Sequence, residues 1–261
     1  MHHKKRLGQN FLIDRNVIEK IIKYIGLSKE DYVLEIGPGD GALTKYITVL
    51  VNSLTIIEKD TNLINELSLI VEDPKKLKIY NQDVLKFNFS SIKTKIRIIG
   101  NLPYNISTEI LSNWITNLKE ECWFTDLVLM FQKEVADRII AKYNTSAYGR
   151  LSILANWRLN INKICDISPE SFSPRPKIQS TLIHFTPKKK FVEIKDPINL
   201  EKITRIFFSN RRKMLKKPFN QIFNGKTDLI NKFNLNLNLR PQNLDFDTYY
   251  KLTIEYEKLR S

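Results

Sequence analysis

The sequence predicts an α/β protein with a mainly parallel sheet, followed by a small all-helical domain at the C-terminal end. Two observations support this fold class. Short apolar runs alternate with amphipathic helical stretches as far as Phe131, which is the pattern of successive βαβ units. Beyond a lysine-rich connector that begins at Pro187, no further unit of this kind follows. A chain of 261 residues is long enough for one such domain and a small appendage.

The individual elements follow from their periodicity. Apolar residues between Val17 and Ile25 recur on one helical face, and Gly26 is predicted to end this helix. The predicted parallel strands cover residues 32–36, 54–57, 77–80, 96–99 and 127–131, and helices lie between them, for example over 63–71 and 108–118. Residues 179–185 alternate like a half-exposed strand, so the sheet is predicted to finish with an antiparallel pair.

A change in composition divides the chain. Residues 1–187 are predicted to form the α/β domain, and residues 188–261 a separate helical domain. The basic run after Pro187 and the pair Asp196-Pro197 bracket the connector between them. Helical periodicity then resumes over residues 198–208 and 246–259.

The chain carries a large positive charge, and most of it lies at one end. The formal net charge is +14. Residues 1–186 carry 25 Lys and Arg against 20 Asp and Glu, a net charge of +5, whereas residues 187–261 carry 17 against 8, a net charge of +9. A polyanionic partner, most simply nucleic acid, explains this excess. A solvated lysine-rich surface is the alternative, but it does not explain the concentration at one end.

Composition also bounds the setting in which the protein works. No apolar run approaches the roughly 18 residues of a membrane-spanning helix, and the basic N-terminus leads into polar residues, so we expect no membrane segment and no signal peptide. Cys122 and Cys165 lack metal-ligand spacing and fit reduced, buried thiols. With only three histidines, two of them at positions 2 and 3, we expect no metal site. We also expect the protein to be cytoplasmic and to act as a monomer.

Three glycines follow the first predicted sheet strand, in the segment Gly37-Pro38-Gly39-Asp40-Gly41. Such a turn lets a ligand approach the backbone where a strand passes into a helix. Glu58 closes the second strand, where a carboxylate can bind both hydroxyls of a ribose. The glycine segment also satisfies the loose dinucleotide-binding pattern, so by itself it does not separate NAD from other nucleoside cofactors.

Two features after later strands favour S-adenosylmethionine over NAD. Asp83 follows the third strand, where its carboxylate can accept a hydrogen bond from an adenine amine, and Asn101-Leu102-Pro103-Tyr104 follows the fourth. A glycine turn, two acids and this loop, after four successive strands, give the layout of a class I (Rossmann-like) methyltransferase sheet. A dehydrogenase needs neither of the last two features.

The 101–104 loop has the chemistry needed to methylate the exocyclic amine of a nucleobase. The lone pair of such an amine is delocalised into the ring, which makes the nitrogen a poor nucleophile. The Asn101 side-chain oxygen and the Leu102 carbonyl can each accept one N–H group and make the nitrogen more tetrahedral. Pro103 biases Leu102 towards an extended conformation, and Tyr104 offers a flat face for an extruded base. Taken alone, these four residues also fit an ordinary strand-to-turn junction.

With these motifs the chain resembles the KsgA-type ribosomal RNA adenine dimethyltransferases nearly end to end. The matching motifs are Leu7-Gly8-Gln9-Asn10-Phe11-Leu12, the glycine turn, Glu58, Asp83, residues 101–107 and Phe172-Ser173-Pro174-Arg175-Pro176. The resemblance implies a set of residues that line the S-adenosylmethionine site: Asn10, Leu12, Glu35, Gly37, Gly39, Glu58, Asp83 and Asn101. It also implies that Phe172 lies against the target adenine, opposite Tyr104.

The resemblance further implies the reaction and its partner. Methyl groups would pass from S-adenosylmethionine to two adjacent adenosines of small-subunit (16S) ribosomal RNA, giving N6,N6-dimethyladenosine during ribosome biogenesis. Residues of the basic C-terminal domain would contact the RNA, namely Arg211, Arg212, Lys213, Lys216 and Lys217. Met214 and Lys216 stand where the family usually has Thr and Arg, so they depart from its pattern.

Three alternatives remain at this point. The antibiotic-resistance methyltransferases of large-subunit ribosomal RNA share most of these motifs, but they usually have Ile at the position of Leu102. A DNA adenine methyltransferase generally carries the motif Asp-Pro-Pro-Tyr instead. A non-catalytic ribosome-assembly factor could use the same fold only to bind RNA, although the intact 101–104 loop favours an enzyme.

Overall fold

The computed structural model describes residues 10–71, 73–92, 94–118 and 122–260. Leu7, Gly8 and Gln9 of the predicted N-terminal motif therefore lie outside the described residues. The chain forms two compact units. Unit 1 comprises residues 1–110, 118–136 and 161–187, and unit 2 comprises residues 111–117, 137–160 and 188–261.

Unit 1 is built on a seven-stranded sheet. In chain order its strands are β2 (Tyr32–Ile36), β3 (Ser53–Glu58), β4 (Leu77–Asn81), β5 (Ile96–Asn101), β6 (Phe124–Gln132), β7 (Leu159–Ile167) and β9 (Ser180–Pro187). Their spatial order is β4-β3-β2-β5-β6-β9-β7. The five strands from β4 to β6 are parallel, and β9 is antiparallel to β6, as predicted.

The register of the parallel strands brings the predicted site residues to one edge. Ile36 at the end of β2 pairs with Ile57 of β3 and with Gly100 of β5. The residues that follow these positions, Gly37, Glu58 and Asn101, are therefore neighbours at the carboxyl ends of the strands. Consecutive residues in β2, β3 and β5 are buried, which shows that both faces of these central strands are covered.

Helices cover the faces of this sheet. They include α1 (Arg15–Ile25), α2 (Thr44–Leu50) and α3 (Thr61–Ile70). Two more helices, α4 (Ser107–Thr116) and α5 (Lys133–Ile140), follow later in the chain. Helix α1 begins where the Asp14 side chain accepts hydrogen bonds from two backbone N–H groups, and it ends at Gly26 as predicted. Its buried isoleucines join the core that α2 and α3 also line.

A two-stranded ribbon that the sequence analysis missed borders the sheet. β1 (Phe11–Leu12) pairs antiparallel with β8 (Phe172–Ser173), so that Leu12 faces Phe172. The backbone N–H of Ile13 donates to the Ser171 carbonyl at 2.8 Å, which extends this pairing by one residue. The ribbon thus joins the N-terminal segment to a part of the chain about 160 residues away.

The edge strand β7 was also missed in the sequence analysis. Its residues are largely half-buried or exposed, and they include Asn160, Asn162 and Lys163. Such a strand lacks the continuous apolar run by which the central strands were found. All six predicted strands are present, with ends that differ by at most three residues from those predicted.

Unit 2 is helical and differs in extent from the predicted C-terminal domain. Its helices are α6 (Arg150–Arg158), α7 (Pro197–Ser209), α8 (Lys216–Phe223), α9 (Thr227–Lys232) and α10 (Phe246–Lys258). The prediction placed α6 in the first domain, but α6 packs with α7 and α10, and the Tyr250 hydroxyl donates to the Ile153 carbonyl at 3.0 Å. The reason is that α6 is mostly buried and needs apolar partners, which the C-terminal helices supply.

Within the described residues, no helix combines the length and hydropathy that crossing a membrane requires. The same residues contain no group of three or more His, Cys, Asp and Glu side chains that could hold a metal ion.

Candidate active site

An open cavity of about 290 Å³ lies in unit 1, beyond the carboxyl ends of the parallel strands. All eight residues that the resemblance assigned to the cofactor line it: Asn10, Leu12, Glu35, Gly37, Gly39, Glu58, Asp83 and Asn101. Leu102, Pro103 and Tyr104 line it as well. The structure therefore brings the predicted cofactor residues and the 101–104 loop to one cavity.

The glycine turn makes two close contacts that exclude side chains. Gly37 has φ +63°, and a Cβ atom placed there would lie 3.1 Å from the Asn101 carbonyl oxygen. Gly39 has φ +61°, and a Cβ atom there would lie 2.6 Å from the ring of Phe11. A larger residue at either position would have a strained backbone conformation, and its Cβ atom would lie too close to a neighbouring atom. The turn is packed directly against the 101–104 loop on one side and against Phe11 on the other.

Glu35 is a buried carboxyl group in the cavity wall. It is 2% exposed, and the Thr44 hydroxyl donates to its Oε2 atom at 2.7 Å. Burial raises the pKa of Glu35 to about 8, because desolvation outweighs the hydrogen bond from Thr44. Glu35 is therefore protonated at neutral pH when no cation lies beside it.

Glu58 is nearly as buried as Glu35 but accepts hydrogen bonds from more donors. Its Oε1 atom accepts the backbone N–H of Asp60 at 2.7 Å. Burial raises the pKa of Glu58, whereas backbone N–H groups of Asp60, Lys59 and Gly39 oppose that rise. A carboxylate held in this way keeps lone pairs for the hydroxyl groups of a sugar.

Asp83 forms an ion pair that the sequence did not reveal. Its Oδ2 atom lies 2.8 Å from Lys59 Nζ, and its Oδ1 atom accepts the backbone N–H of Leu85 at 3.0 Å. The hydrogen bond from Lys59 is the main cause that lowers the pKa of Asp83, so this carboxylate is charged at neutral pH. Lys59 also lines the cavity. Because Lys59 and Asp83 follow two neighbouring strands and are 24 residues apart in sequence, no local pattern could have paired them.

The side chain of Asn101 is oriented by the N-terminal segment. Its Nδ2 atom donates to the Asn10 carbonyl oxygen at 2.9 Å. A carbonyl can only accept, so the amide nitrogen must face it. This leaves Oδ1 of Asn101, which can only accept, for another group in the cavity.

The side chain of Tyr104 is held by a hydrogen bond to the first residue of β9. Its hydroxyl lies 2.6 Å from Ser180 Oγ, and burial raises the pKa of Tyr104. The sequence analysis gave Ser180 no role. The two residues are 76 positions apart, so only the fold shows that they meet.

The structure does not place Phe172 in the cavity wall. Phe172 is 2% exposed and belongs to the apolar core that also contains Phe11 and Leu12. Pairing of β8 with β1 puts it directly opposite Leu12. Protein atoms therefore cover the ring in this structure, and the role of Phe172 against a target adenine, facing Tyr104, stays a prediction.

The predicted RNA-contacting residues of unit 2 divide into two kinds. Arg212, Lys213, Lys216 and Lys217 are exposed. Arg211 is half-buried instead, and its guanidinium donates to Gln242 Oε1 at 3.2 Å and to the Thr145 carbonyl at 3.3 Å. Arg211 thus connects three segments of unit 2.

The cavity fits an adenosine carrying a cationic side chain. The carboxylates of Glu58 and Asp83 can accept hydrogen bonds from hydroxyl and amine groups, and Ile36, Ile57 and Val84 supply apolar wall. The buried carboxyl of Glu35 can become an anion beside a positive charge. Together with the strand order, these features define a class I methyltransferase that uses S-adenosylmethionine.

Comparison with known proteins narrows this class. The family model described as "Ribosomal RNA adenine dimethylase" matches residues 1–258. The chain is 58% identical to a ribosomal RNA small subunit methyltransferase A of Pelagibacter ubique, over 98% of each chain, and 38% identical to that of Francisella tularensis subsp. novicida, over 95% of each. The chain therefore belongs to the ribosomal RNA adenine dimethylase family.

Solved structures agree with this assignment. A dimethyladenosine transferase from Plasmodium falciparum superimposes with a TM-score of 0.76 at 27% identity, covering 95% of this chain and 98% of the other. The 23S rRNA methyltransferase ErmE superimposes with a TM-score of 0.69 at 19% identity, covering 95% and 100%. At that identity the second comparison shows a shared fold alone.

Proposed function

We propose that this protein transfers methyl groups from S-adenosylmethionine to the N6 amines of two adjacent adenosines in small-subunit ribosomal RNA, giving N6,N6-dimethyladenosine. The orientation of Asn101 is the observation that carries the proposal. Its amide nitrogen is taken by the Asn10 carbonyl, so that the acceptor Oδ1 remains for an amine in the cavity. The same cavity holds the three carboxyl groups suited to the methyl donor.

The residues of the chain act by position and by hydrogen bonding. S-adenosylmethionine supplies a methyl group on a sulfonium centre, which is a strong leaving group. Asn101 Oδ1 and the Leu102 carbonyl accept the two N–H groups of the adenine amine, and this restores nucleophilic character to the nitrogen. Tyr104 stacks on the extruded base. No general base is required, because the alkylated nitrogen is acidic enough to lose its proton to water.

The methyl donor is held by acceptors on three neighbouring strands. Glu58 accepts from the ribose hydroxyls, and Asp83 accepts from the adenine amine of the donor. Glu35 loses its proton when the cationic part of the donor approaches, because a nearby positive charge favours the carboxylate.

We propose that the substrate is the immature small ribosomal subunit in the cytoplasm, and that this protein acts on it as a monomer. Exposed cations in unit 2 support docking on RNA phosphates: Arg212, Lys213, Lys216 and Lys217. The relatives at 58% and 38% identity are small-subunit methyltransferases by name, which favours this substrate over the large subunit. Leu102 favours it as well.

One experiment separates this proposal from its alternatives. The protein is incubated with labelled S-adenosylmethionine and with unmethylated small subunits, large subunits or DNA, and the digested nucleosides are identified by mass spectrometry. N6,N6-dimethyladenosine in the small subunit alone is the expected result. Modification of large subunits or DNA in its place, or binding to small subunits without methylation, would contradict the proposal.

A further inference from the structure

Tyr104 is held by a hydrogen bond at the far end of its ring. Its phenolic oxygen lies 2.6 Å from Oγ of Ser180, and either hydroxyl can be the donor. Ser180 is completely buried. Because burial raises the pKa of Tyr104, the phenol keeps its proton at neutral pH, and the contact joins two neutral hydroxyl groups.

The antiparallel direction of β9 brings Ser180 to this place. Ser180 is the first residue of β9 and pairs with Gln132, the last residue of β6. Since β9 runs against β6, its first residue lies at the carboxyl edge of the parallel strands, where the 101–104 loop begins. β6 lies between β5 and β9 in the sheet, so Tyr104 reaches across the end of β6 to make the contact.

The contact restricts the ring more than packing alone would. Two torsions, χ1 and χ2, set the orientation of a tyrosine ring. With the backbone of the 101–104 loop at one end and Ser180 at the other, the long axis of the ring is fixed, and only rotation about that axis remains. A side chain locked by such a supporting hydrogen bond keeps its ring at one place in the cavity wall, and a stacked base then sets the rotation about the axis.

We propose that Ser180 is a positioning residue that holds Tyr104 against the target base, and that the second methyl transfer depends on it more than the first. This inference rests on the proposed function. Each transfer forms one N–C bond, breaks one S–C bond and releases one proton from the nitrogen. The unmodified amine has two N–H groups for Asn101 and Leu102, whereas the monomethyl amine has one. Stacking on Tyr104 therefore carries a larger share of positioning in the second transfer.

Two single variants test this from opposite ends of the contact. Ser180→Ala and Tyr104→Phe both remove the hydrogen bond and keep the aromatic ring. Each protein is incubated with S-adenosylmethionine and unmethylated small subunits, and monomethyl- and dimethyladenosine are quantified over time. We expect the first transfer to slow by roughly three- to tenfold, the scale of one neutral hydrogen bond, and the second to slow further. Monomethyladenosine should accumulate to the same extent in both variants and in the double variant, since only one interaction is lost.

Thr181→Val is the matched control. Thr181 is the next residue of β9, it is equally buried, and its hydroxyl donates to Asp166 at 2.7 Å. Adjacent residues of a strand point to opposite faces, so this variant removes a buried hydroxyl hydrogen bond away from Tyr104, here one to a carboxylate and therefore at least as strong. It should lower the melting temperature while leaving the ratio of the two products unchanged.

A wild-type product ratio in Ser180→Ala and Tyr104→Phe would overturn the inference. So would equal accumulation of monomethyladenosine in Thr181→Val, since that would reflect general destabilisation. If Ser180→Ala does not fold, Tyr104→Phe decides the matter alone. Failure of the proposed function itself would be distinct, because the wild-type protein would then form no dimethyladenosine in small subunits.

Discussion

Glu35→Gln should change how the stability of this protein depends on pH. In the folded protein the pKa of Glu35 is about 8, against 4.5 for the ordinary side chain. Between these values the folded state binds more protons than the unfolded state, so the free energy of unfolding falls as pH rises, by about 1.4 kcal/mol per pH unit. From pH 6 to pH 8 this single group should remove about 2.5 kcal/mol of stability.

Urea unfolding of the ligand-free protein measures this loss. Gln has the shape of Glu but does not titrate, and the Thr44 hydroxyl can still donate to its side-chain oxygen. The free energy of unfolding is determined at several pH values from 5.5 to 8.5 for the wild-type protein and for Glu35→Gln. The difference between the two should change by about 2.5 kcal/mol from pH 6 to pH 8, with the variant gaining relative stability.

Glu30→Gln controls for the loss of one acidic side chain, because Glu30 is exposed. Its curve should run parallel to that of the wild-type protein. Parallel curves for Glu35→Gln and the wild-type protein would refute the reasoning, because they would mean that Glu35 is already ionised at pH 6.

Four further predictions concern binding, turnover and stability. Glu58→Ala should weaken S-adenosylmethionine binding by about 1.5–3 kcal/mol in calorimetry, the scale of hydrogen bonds to a charged group, and unchanged affinity would contradict its role. Asn101→Ala should reduce turnover on small subunits more than it reduces cofactor affinity, and dimethylation at the wild-type rate would remove Asn101 from the mechanism. Arg212→Ala should flatten the log–log salt dependence of small-subunit binding by about 0.7–0.9. Arg211→Ala should lower the melting temperature and leave that slope unchanged, so equal slope changes in both variants would show that Arg211 also binds phosphate.

The cofactor side of the cavity could be predicted from the sequence because it depends on local signals. Each central strand is a short apolar run, and Gly37, Glu58 and Asp83 follow such runs within three residues. Parallel strands have their carboxyl ends at one edge, so placing the strands also placed these residues. The resemblance to a family added Asn10 and Leu12, for which the sequence offers no independent signal.

The parts that could not be predicted depend on contacts between distant segments. Tyr104 and Ser180 meet only because β9 runs antiparallel to β6, which brings Ser180 to the edge where the 101–104 loop begins. Lys59 and Asp83 meet because they follow the neighbouring strands β3 and β4. Arg211 is a cation of the kind that binds phosphate, yet its guanidinium donates hydrogen bonds to Gln242 and Thr145 within unit 2. A count of charges in the sequence does not reveal these contacts. Phe172 was placed by its motif, whereas the pairing of its short strand with β1 buries it.

The β1–β8 ribbon has a consequence for the order in which the protein matures during synthesis. The ribosome makes Asn10 about 160 residues before Phe172, so β1 gains its partner only when Phe172 and Ser173 have emerged. Until then Phe11 and Leu12 have no strand to pair with, and the Asn10 carbonyl has no fixed place from which to orient Asn101. The nascent chain is therefore expected to complete the central strands well before it can orient its catalytic amide. A chain released before residue 173 would leave the ribosome without a working site.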